Sequence, residues 1–161
     1  MRNTFVIAAV VLLSASGGWY YFSREDGGEA ATEKMEKQEV ALAGSLEAPL
    51  LDFNANDYEA ALGSEKLIVL YFYANWCPIC KAEFPKMQDA FNELPDGSNV
   101  VGFRINYNDN ETDSYEQDIA REFGVAYQHT KVFIKNGERV LKAPDSWEKE
   151  RYLSEIGKFT N

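Results

Sequence analysis

The only two cysteines of the chain, Cys77 and Cys80, directly follow an apolar run at residues 67–73. That run is rich in β-branched and aromatic residues, which is typical of a strand buried on both faces. The stretch after the cysteines has apolar residues at the spacing of one helical face, namely Phe84, Met87 and Phe91. The sequence therefore predicts that both cysteines lie where a buried strand ends and a helix begins.

Cys77 would lie at the start of that helix. There the unpaired backbone N–H groups and the helix macrodipole favour a negative charge. A thiolate carries such a charge, and it is the reactive form of cysteine. The functional interpretation is a dithiol that cycles to a disulfide: Cys77 attacks a substrate disulfide, and Cys80 then displaces the reduced substrate. The alternatives are a static disulfide, inert core thiols and a metal site.

The segment WCPICK at 76–81, placed after a buried strand and followed by Pro85, resembles the thioredoxin-like oxidoreductases. The resemblance begins near Pro49 and continues to the C-terminus. It includes FGV at 123–125 and a predicted hairpin at 130–138 with an Asn-Gly turn. A lone CxxC is a weak signal, because zinc ribbons share it, but the whole arrangement is specific. The resemblance implies an α/β fold with a central mixed sheet flanked by helices.

The resemblance also implies a function and supporting residues. Protein disulfides or dithiols would be the substrates, a separate redox protein the partner, and no cofactor would be needed. Trp76 would shape the surface around the nucleophile, although packing against the sheet edge explains it equally well. Pro78 suits the first helical turn, where its missing N–H costs nothing. Lys81 would favour the thiolate, whereas the simpler interpretation is a solvated lysine.

Tyr71 marks one departure from the family pattern. Thioredoxins carry a buried aspartate six residues before the first cysteine, and it assists proton transfer at the second thiol. A phenol has an ordinary pKa near 10 and is a poor base at neutral pH. Proton transfer in this chain would therefore rely on water or on another group.

His129 marks a sharper departure, because the family places a cis-proline there, facing the cysteines. A cis bond before a non-proline residue costs about 3–4 kcal/mol, so the Gln128–His129 peptide is predicted to be trans. The imidazole could act as an acid or base for Cys77, stabilise its thiolate, or join both sulfurs around a metal. The simplest alternative is a surface or partly packed histidine. Gln128 would offer backbone hydrogen bonds to an extended substrate peptide.

Three functional hypotheses follow. The first is an exported thiol–disulfide oxidoreductase with Cys77 as nucleophile and Cys80 as resolving cysteine. The second is a module in which Cys77, Cys80 and His129 hold a metal or a cluster shared by two chains. The third is an adaptor with the same fold but low turnover. The net charge of −10 argues against nucleic acid as a partner, since phosphate binding needs a basic surface.

The N-terminal residues 1–22 form an apolar stretch with no charge between Arg2 and Arg24. It is interpreted either as a cleaved signal peptide or as a transmembrane anchor. The aromatic residues at 19–22 suit a membrane interface and favour the anchor, a hydrophobic helix. The expected location is the extracytoplasmic side of a membrane, or a secreted or periplasmic protein if the segment is cleaved.

The remaining residues divide into an acidic flexible linker at 23–47 and a thioredoxin-like domain at 48–161. Within the domain the patterns predict the order β-α-β-α-β-α-β-β-α. Asn56, with Glu59 three positions later, is predicted to cap the first helix. Asp113 is predicted to cap another helix that ends at Gly124.

Overall fold

The computed structural model describes residues 48–160, and the predicted N-terminal helix and the linker lie outside these residues. Their element order is the predicted one. The elements are β1 (Leu50–Asp52), α1 (Ala55–Leu62), β2 (Leu67–Tyr73), α2 (Pro78–Glu93), β3 (Val100–Asn106), α3 (Ser114–Glu122), β4 (Lys131–Lys135), β5 (Glu138–Ala143) and α4 (Lys149–Thr160). Within residues 48–160 no helix is both long and apolar enough to cross a membrane.

The five strands form one mixed sheet in the order β1-β3-β2-β4-β5. Strands β1, β3 and β2 are parallel, whereas β4 is antiparallel to β2 and pairs with β5 as a hairpin. The predicted mixed sheet with flanking helices is thus confirmed. Because β2 lies at the centre, its last residue and the loop after it face the end of β3 and the start of β4.

Strand β2 is apolar throughout because both faces of the sheet are covered. Alternate residues of a strand point to opposite faces, so Leu70 and Phe72 pack on one side with α1 and α3. Val69 and Tyr71 point to the other side, where α2 and α4 cover them. The continuous hydrophobic run therefore marks a strand shared by two cores.

The sequence predicts the N-terminal caps of two helices; the prediction for α1 is wrong and that for α3 is confirmed. The N-cap of α1 is Asn54, which accepts the N–H of Asn56 at 2.9 Å, so Asn56 already lies inside the helix. The predicted cap at Asn56 is wrong because the extended backbone of Asn54 turns its side chain toward those N–H groups. Asp113 caps α3 as predicted, in a capping box with Glu116.

Candidate active site

The two thiols lie at the junction of β2 and α2, as the sequence predicts. Cys77 is the N-cap of α2, and its Sγ accepts the backbone N–H of Cys80 at 3.4 Å. Pro78 occupies the first turn of α2. Both cysteines are free thiols, and both are buried. The two sulfurs are therefore buried together at one end of the sheet.

The surroundings give the two thiols different acidities. Burial opposes ionisation of Cys77, but hydrogen bonds from the backbone of Cys80 and Ile79, and from the Cys80 and Gln128 side chains, bring its pKa below the ordinary value. Burial raises the pKa of Cys80 to about 11, and the neighbouring Cys77 adds to the rise. Cys77 is thus the more acidic of the two thiols, and Cys80 holds its proton more tightly. Gln128, expected to use its backbone toward a substrate, places its side chain at Cys77.

His129 lies beside both cysteines. The ligand atoms of Cys77, Cys80 and His129 all lie within 4.8 Å of one another. The Gln128–His129 peptide is trans, as predicted, and His129 has a φ of 54°. Its N–H donates to the carbonyl oxygen of Phe72 at 2.7 Å, which fixes the start of the hairpin against β2. Burial, and then the nearby charge of Lys131, lower the pKa of the imidazole, so His129 is neutral near pH 7.

A loop after β3 holds the segment that carries the nucleophile. Trp76 is exposed, and its indole N–H donates to the Asn108 carbonyl at 2.9 Å. The backbone N–H of Asn75 donates to the Asp109 carboxylate at 2.8 Å. Trp76 is thus anchored to this loop by its indole, and its role in shaping the surface around the nucleophile stays a prediction. Lys81 is exposed one turn along α2, and its predicted effect on the thiolate stays a prediction.

An apolar rim, defined as Trp76, Ile79 and Tyr127, surrounds the thiols. These three side chains are about half exposed, at 54%, 46% and 47%. Trp76 and Ile79 flank Cys77 in sequence, and the Tyr127 ring lies 5.8 Å from the His129 ring. Exposed aromatic and aliphatic side chains around a reactive group suit contact with another protein.

Sequence reasoning missed a buried ion pair behind the thiols. Lys131 Nζ lies 2.7 Å from Glu83 Oε1, and both side chains are almost completely buried. Glu83 Oε1 also accepts the Tyr152 hydroxyl at 2.8 Å and the backbone N–H of Trp147 at 2.9 Å. The other oxygen, Oε2, accepts the Tyr71 hydroxyl at 3.3 Å. Four donors thus hold one carboxylate in the core between α2 and the sheet.

Tyr71 connects this carboxylate to the second cysteine. Its hydroxyl contacts both the Cys80 sulfur and Glu83. Burial, followed by the charge of Glu83, raises the pKa of Tyr71 far above its ordinary value, so the phenol stays neutral. One sequence signal was present: Glu83 stands three residues after Cys80 and four before Met87, within the buried face of α2.

Comparison with known proteins agrees with this geometry. The family model for thioredoxin matches residues 49–158. The chain therefore belongs to the thioredoxin family.

Individual relatives cover different shares of the chain. It is 35% identical to thioredoxin H4 of Arabidopsis thaliana over 102 residues, which are 63% of this chain and 78% of that protein. It is 38% identical to thioredoxin-T of Drosophila melanogaster over 81 residues, which are 50% of this chain and 46% of that protein. The chain thus spans about half the length of thioredoxin-T. A mutant thioredoxin from Halobacterium salinarum, 19% identical, superposes with a TM-score of 0.57, covering 73% of this chain and 96% of that one, and supports the fold.

Proposed function

We propose that this chain is a thiol–disulfide oxidoreductase that exchanges its dithiol with disulfides of protein substrates. The observation that carries the proposal is the unequal acidity of two adjacent thiols. The lowered pKa of Cys77 supplies a thiolate, while Cys80 stays protonated until it is needed. Family membership supports the same chemistry.

In the first step the Cys77 thiolate attacks one sulfur of a substrate disulfide. A new S–S bond forms to Cys77, the substrate S–S bond breaks, and the leaving sulfur departs as a thiolate that takes a proton from solvent. The apolar rim of Trp76, Ile79 and Tyr127 would contact the substrate protein around that disulfide.

In the second step Cys80 resolves the mixed disulfide. The Tyr71 hydroxyl takes the Cys80 proton as it passes its own proton to Glu83, and the Cys80 sulfur attacks Cys77. The Cys77–Cys80 disulfide forms, the bond between Cys77 and the substrate breaks, and the second substrate sulfur leaves as a thiolate that takes a proton from solvent. Two electrons have moved from the dithiol to the substrate. A separate redox protein would restore the dithiol, and the same steps run in reverse for an oxidising role.

The proposed location is outside the cytoplasm, with the chain held to a membrane by residues 1–22 or released from it by cleavage. The charge-free apolar stretch between Arg2 and Arg24 supports this. The test is expression of the full chain, alkaline extraction of membranes and the intact mass of the product. Retention in the extracted membrane at full mass indicates an anchor, loss of the N-terminal mass indicates cleavage, and a soluble full-length cytoplasmic product contradicts the proposal.

The activity is tested with Cys77→Ser and Cys80→Ser in a disulfide-reduction assay on insulin. Cys77→Ser is expected to abolish reduction. Cys80→Ser is expected to accumulate a covalent adduct of chain and substrate, visible by mass and released by a reducing agent. If the wild-type chain reduced insulin no faster than the Cys77→Ser variant, the oxidoreductase proposal would be contradicted. The hypothesis of a low-turnover adaptor would then be favoured.

Equilibration of the wild-type Cys77–Cys80 pair against glutathione then measures its reduction potential, which indicates the direction of electron flow. A potential near −270 mV would indicate a reductant, and one near −120 mV an oxidant.

A further inference from the structure

The reduced site brings together three donors that thiophilic metal ions prefer. The sulfurs of Cys77 and Cys80 and an imidazole nitrogen of His129 lie within 4.8 Å of one another. In tetrahedral zinc sites with Zn–S bonds of about 2.3 Å and Zn–N bonds of about 2.0 Å, neighbouring ligand atoms lie roughly 3.5–3.8 Å apart. Contraction by about 1 Å, within the reach of side-chain rotation, would bring the three atoms onto one ion.

A second observation concerns the imidazole of His129 itself. The Nδ1 atom of His129 is buried and has no hydrogen-bond partner among residues 48–160. A buried polar atom left unpaired costs about 1–3 kcal/mol, so such atoms are rare unless something binds them. In one neutral tautomer Nδ1 carries a lone pair, whose partner is a hydrogen-bond donor or a metal ion.

The backbone of His129 is held firmly enough to present this donor. Its N–H donates to Phe72 at 2.7 Å, and its carbonyl oxygen accepts Lys131 Nζ at 2.9 Å. Cys77 and Cys80 are fixed by the first turn of α2. Two rigid elements, the start of α2 and the start of the β4–β5 hairpin, thus supply all three ligands, and such preorganisation lowers the cost of binding.

We infer that the reduced chain binds one thiophilic d¹⁰ cation, such as Zn²⁺, through Cys77 Sγ, Cys80 Sγ and His129 Nδ1, with the fourth position open to water. The exposed apolar rim contributes no further ligand, so the site has the three-ligand form of an open zinc centre and not the closed four-ligand form of a structural one. Binding releases to solvent the proton of each thiol that is still protonated.

The cation and a substrate disulfide would compete for the same sulfurs. The inference rests on the two cysteines being the reducible pair of the proposed function, because the Cys77–Cys80 disulfide has no thiolate to offer. The metal-bound chain would exchange no disulfides until the ion is removed. Metal binding would thus keep the reduced chain inactive in disulfide exchange and protect its thiols from oxidation.

The test is a titration of the reduced full chain with Zn²⁺ under anaerobic conditions, in competition with a chromophoric chelator. One zinc per chain is expected for the reduced chain and none for the oxidised chain. His129→Asn is the matched variant, because asparagine tolerates a positive φ but lacks the imidazole. Its zinc affinity is expected to fall by at least about tenfold, since even changes outside the ligand shell cost that much.

A second measurement uses only the wild-type chain, so a folding defect of a variant does not affect it. In the wild-type chain, zinc should slow alkylation of Cys77 by iodoacetamide, and removal of zinc by a chelator should restore it. Equal zinc affinity of wild-type chain and a folded His129→Asn variant would overturn the inference, as would one zinc per two chains or no protection of Cys77. Zinc binding without insulin reduction would instead refute the proposed function alone, and reduction without zinc binding would refute only the metal site.

Discussion

At the scale of single residues, Glu83 lies where a carboxylate would compensate for Tyr71. The family's aspartate is absent from β2, yet a carboxylate reaches the same region from α2, and the Tyr71 hydroxyl connects it to Cys80. In the proposed mechanism the tyrosine, a poor base by itself, would pass the proton on to Glu83. We therefore propose that the group left unidentified by the sequence is a relay of these two side chains.

The relay is tested with Tyr71→Phe, which removes the hydroxyl but leaves Glu83 its contacts with Lys131, Tyr152 and Trp147. Release of the substrate from the mixed disulfide is expected to slow by about 10²-fold, the lower end of general acid–base effects. Rapid-quench measurement of that step checks it.

Tyr152→Phe is the matched control. It also removes a hydroxyl that donates to Glu83, but that hydroxyl is not the one in contact with Cys80. Equal slowing in both variants would show that the effect is structural and would refute the relay.

The buried ion pair also affects stability. Burial lowers the pKa of Lys131, and the hydrogen bond to Glu83 opposes that shift. Glu83→Gln leaves Lys131 buried without its counter-charge, so the free energy of unfolding is expected to fall by about 3–5 kcal/mol. Urea denaturation of the reduced chain measures this. The double variant Glu83→Gln, Lys131→Met should lose less than the sum of the single losses, because the unpaired charge is gone. Additive losses would rule out the coupling.

At the scale of elements, the position of α2 depends on a residue that has no side chain. A Cβ on Gly102 of β3 would lie 2.6 Å from Cζ of Phe91 and 2.7 Å from Cδ1 of Leu50. Phe91 belongs to α2, and Leu50 to the adjacent strand β1. The C-terminal part of α2 therefore lies close to the sheet because β3 leaves this space.

Gly102→Ala is expected to lower the free energy of unfolding by about 1–3 kcal/mol, the usual cost of overpacking. Gly63→Ala is the control, because Gly63 has a φ of −74° and its new Cβ would lie 3.6 Å from the Ala60 carbonyl oxygen. Urea denaturation compares the two variants. If Gly63→Ala proved as harmful as Gly102→Ala, close packing between α2 and β3 would not be the cause.

The loop that supports Trp76 makes a pH-dependent contribution. Burial opposes ionisation of Asp109, but hydrogen bonds from the backbone of Asn75, Glu111 and Thr112 bring its pKa below the ordinary value. A lowered pKa in the folded state means that the stabilisation is complete above the unfolded pKa, about 3.9, and is lost as pH falls through the folded pKa. The advantage of wild-type chain over Asp109→Asn should therefore be full at pH 6 and shrink below about pH 4.

Urea denaturation at several pH values checks this prediction. Because other carboxylates titrate in the same range, only the difference between the two chains is informative. A difference that stays constant down to the acid limit would mean that the Asp109 charge has no part in holding the loop.

At the scale of the whole molecule, the apolar rim is an exposed hydrophobic patch on a chain that is acidic, with a net charge of −10. A protein substrate would bury this rim, whereas a small disulfide would reach only the sulfurs. Ile79→Ala is therefore expected to raise KM for reduction of insulin several-fold and to leave the rate with a small aromatic disulfide nearly unchanged.

Val140→Ala tests whether any exposed aliphatic residue has this effect, because Val140 is also exposed but lies on β5, away from the thiols. Steady-state kinetics with both substrates measure the two variants. A rise in KM for the small disulfide as well would indicate damage to the thiol site and not loss of substrate contact.

Local patterns in the sequence determined the element order, the junction that carries Cys77, and the trans bond before His129. Hydrophobic period, capping residues and peptide geometry depend on neighbours along the chain. Only the tertiary structure decided that Glu83 meets Lys131, 48 positions away, that Tyr71 connects Glu83 to Cys80, and that an imidazole nitrogen of His129 lies within 4.8 Å of two sulfurs. These contacts arise because α2 packs across the sheet onto β4. Such packing brings distant residues together by the complementarity of their shapes and charges. A short stretch of sequence therefore does not predict it.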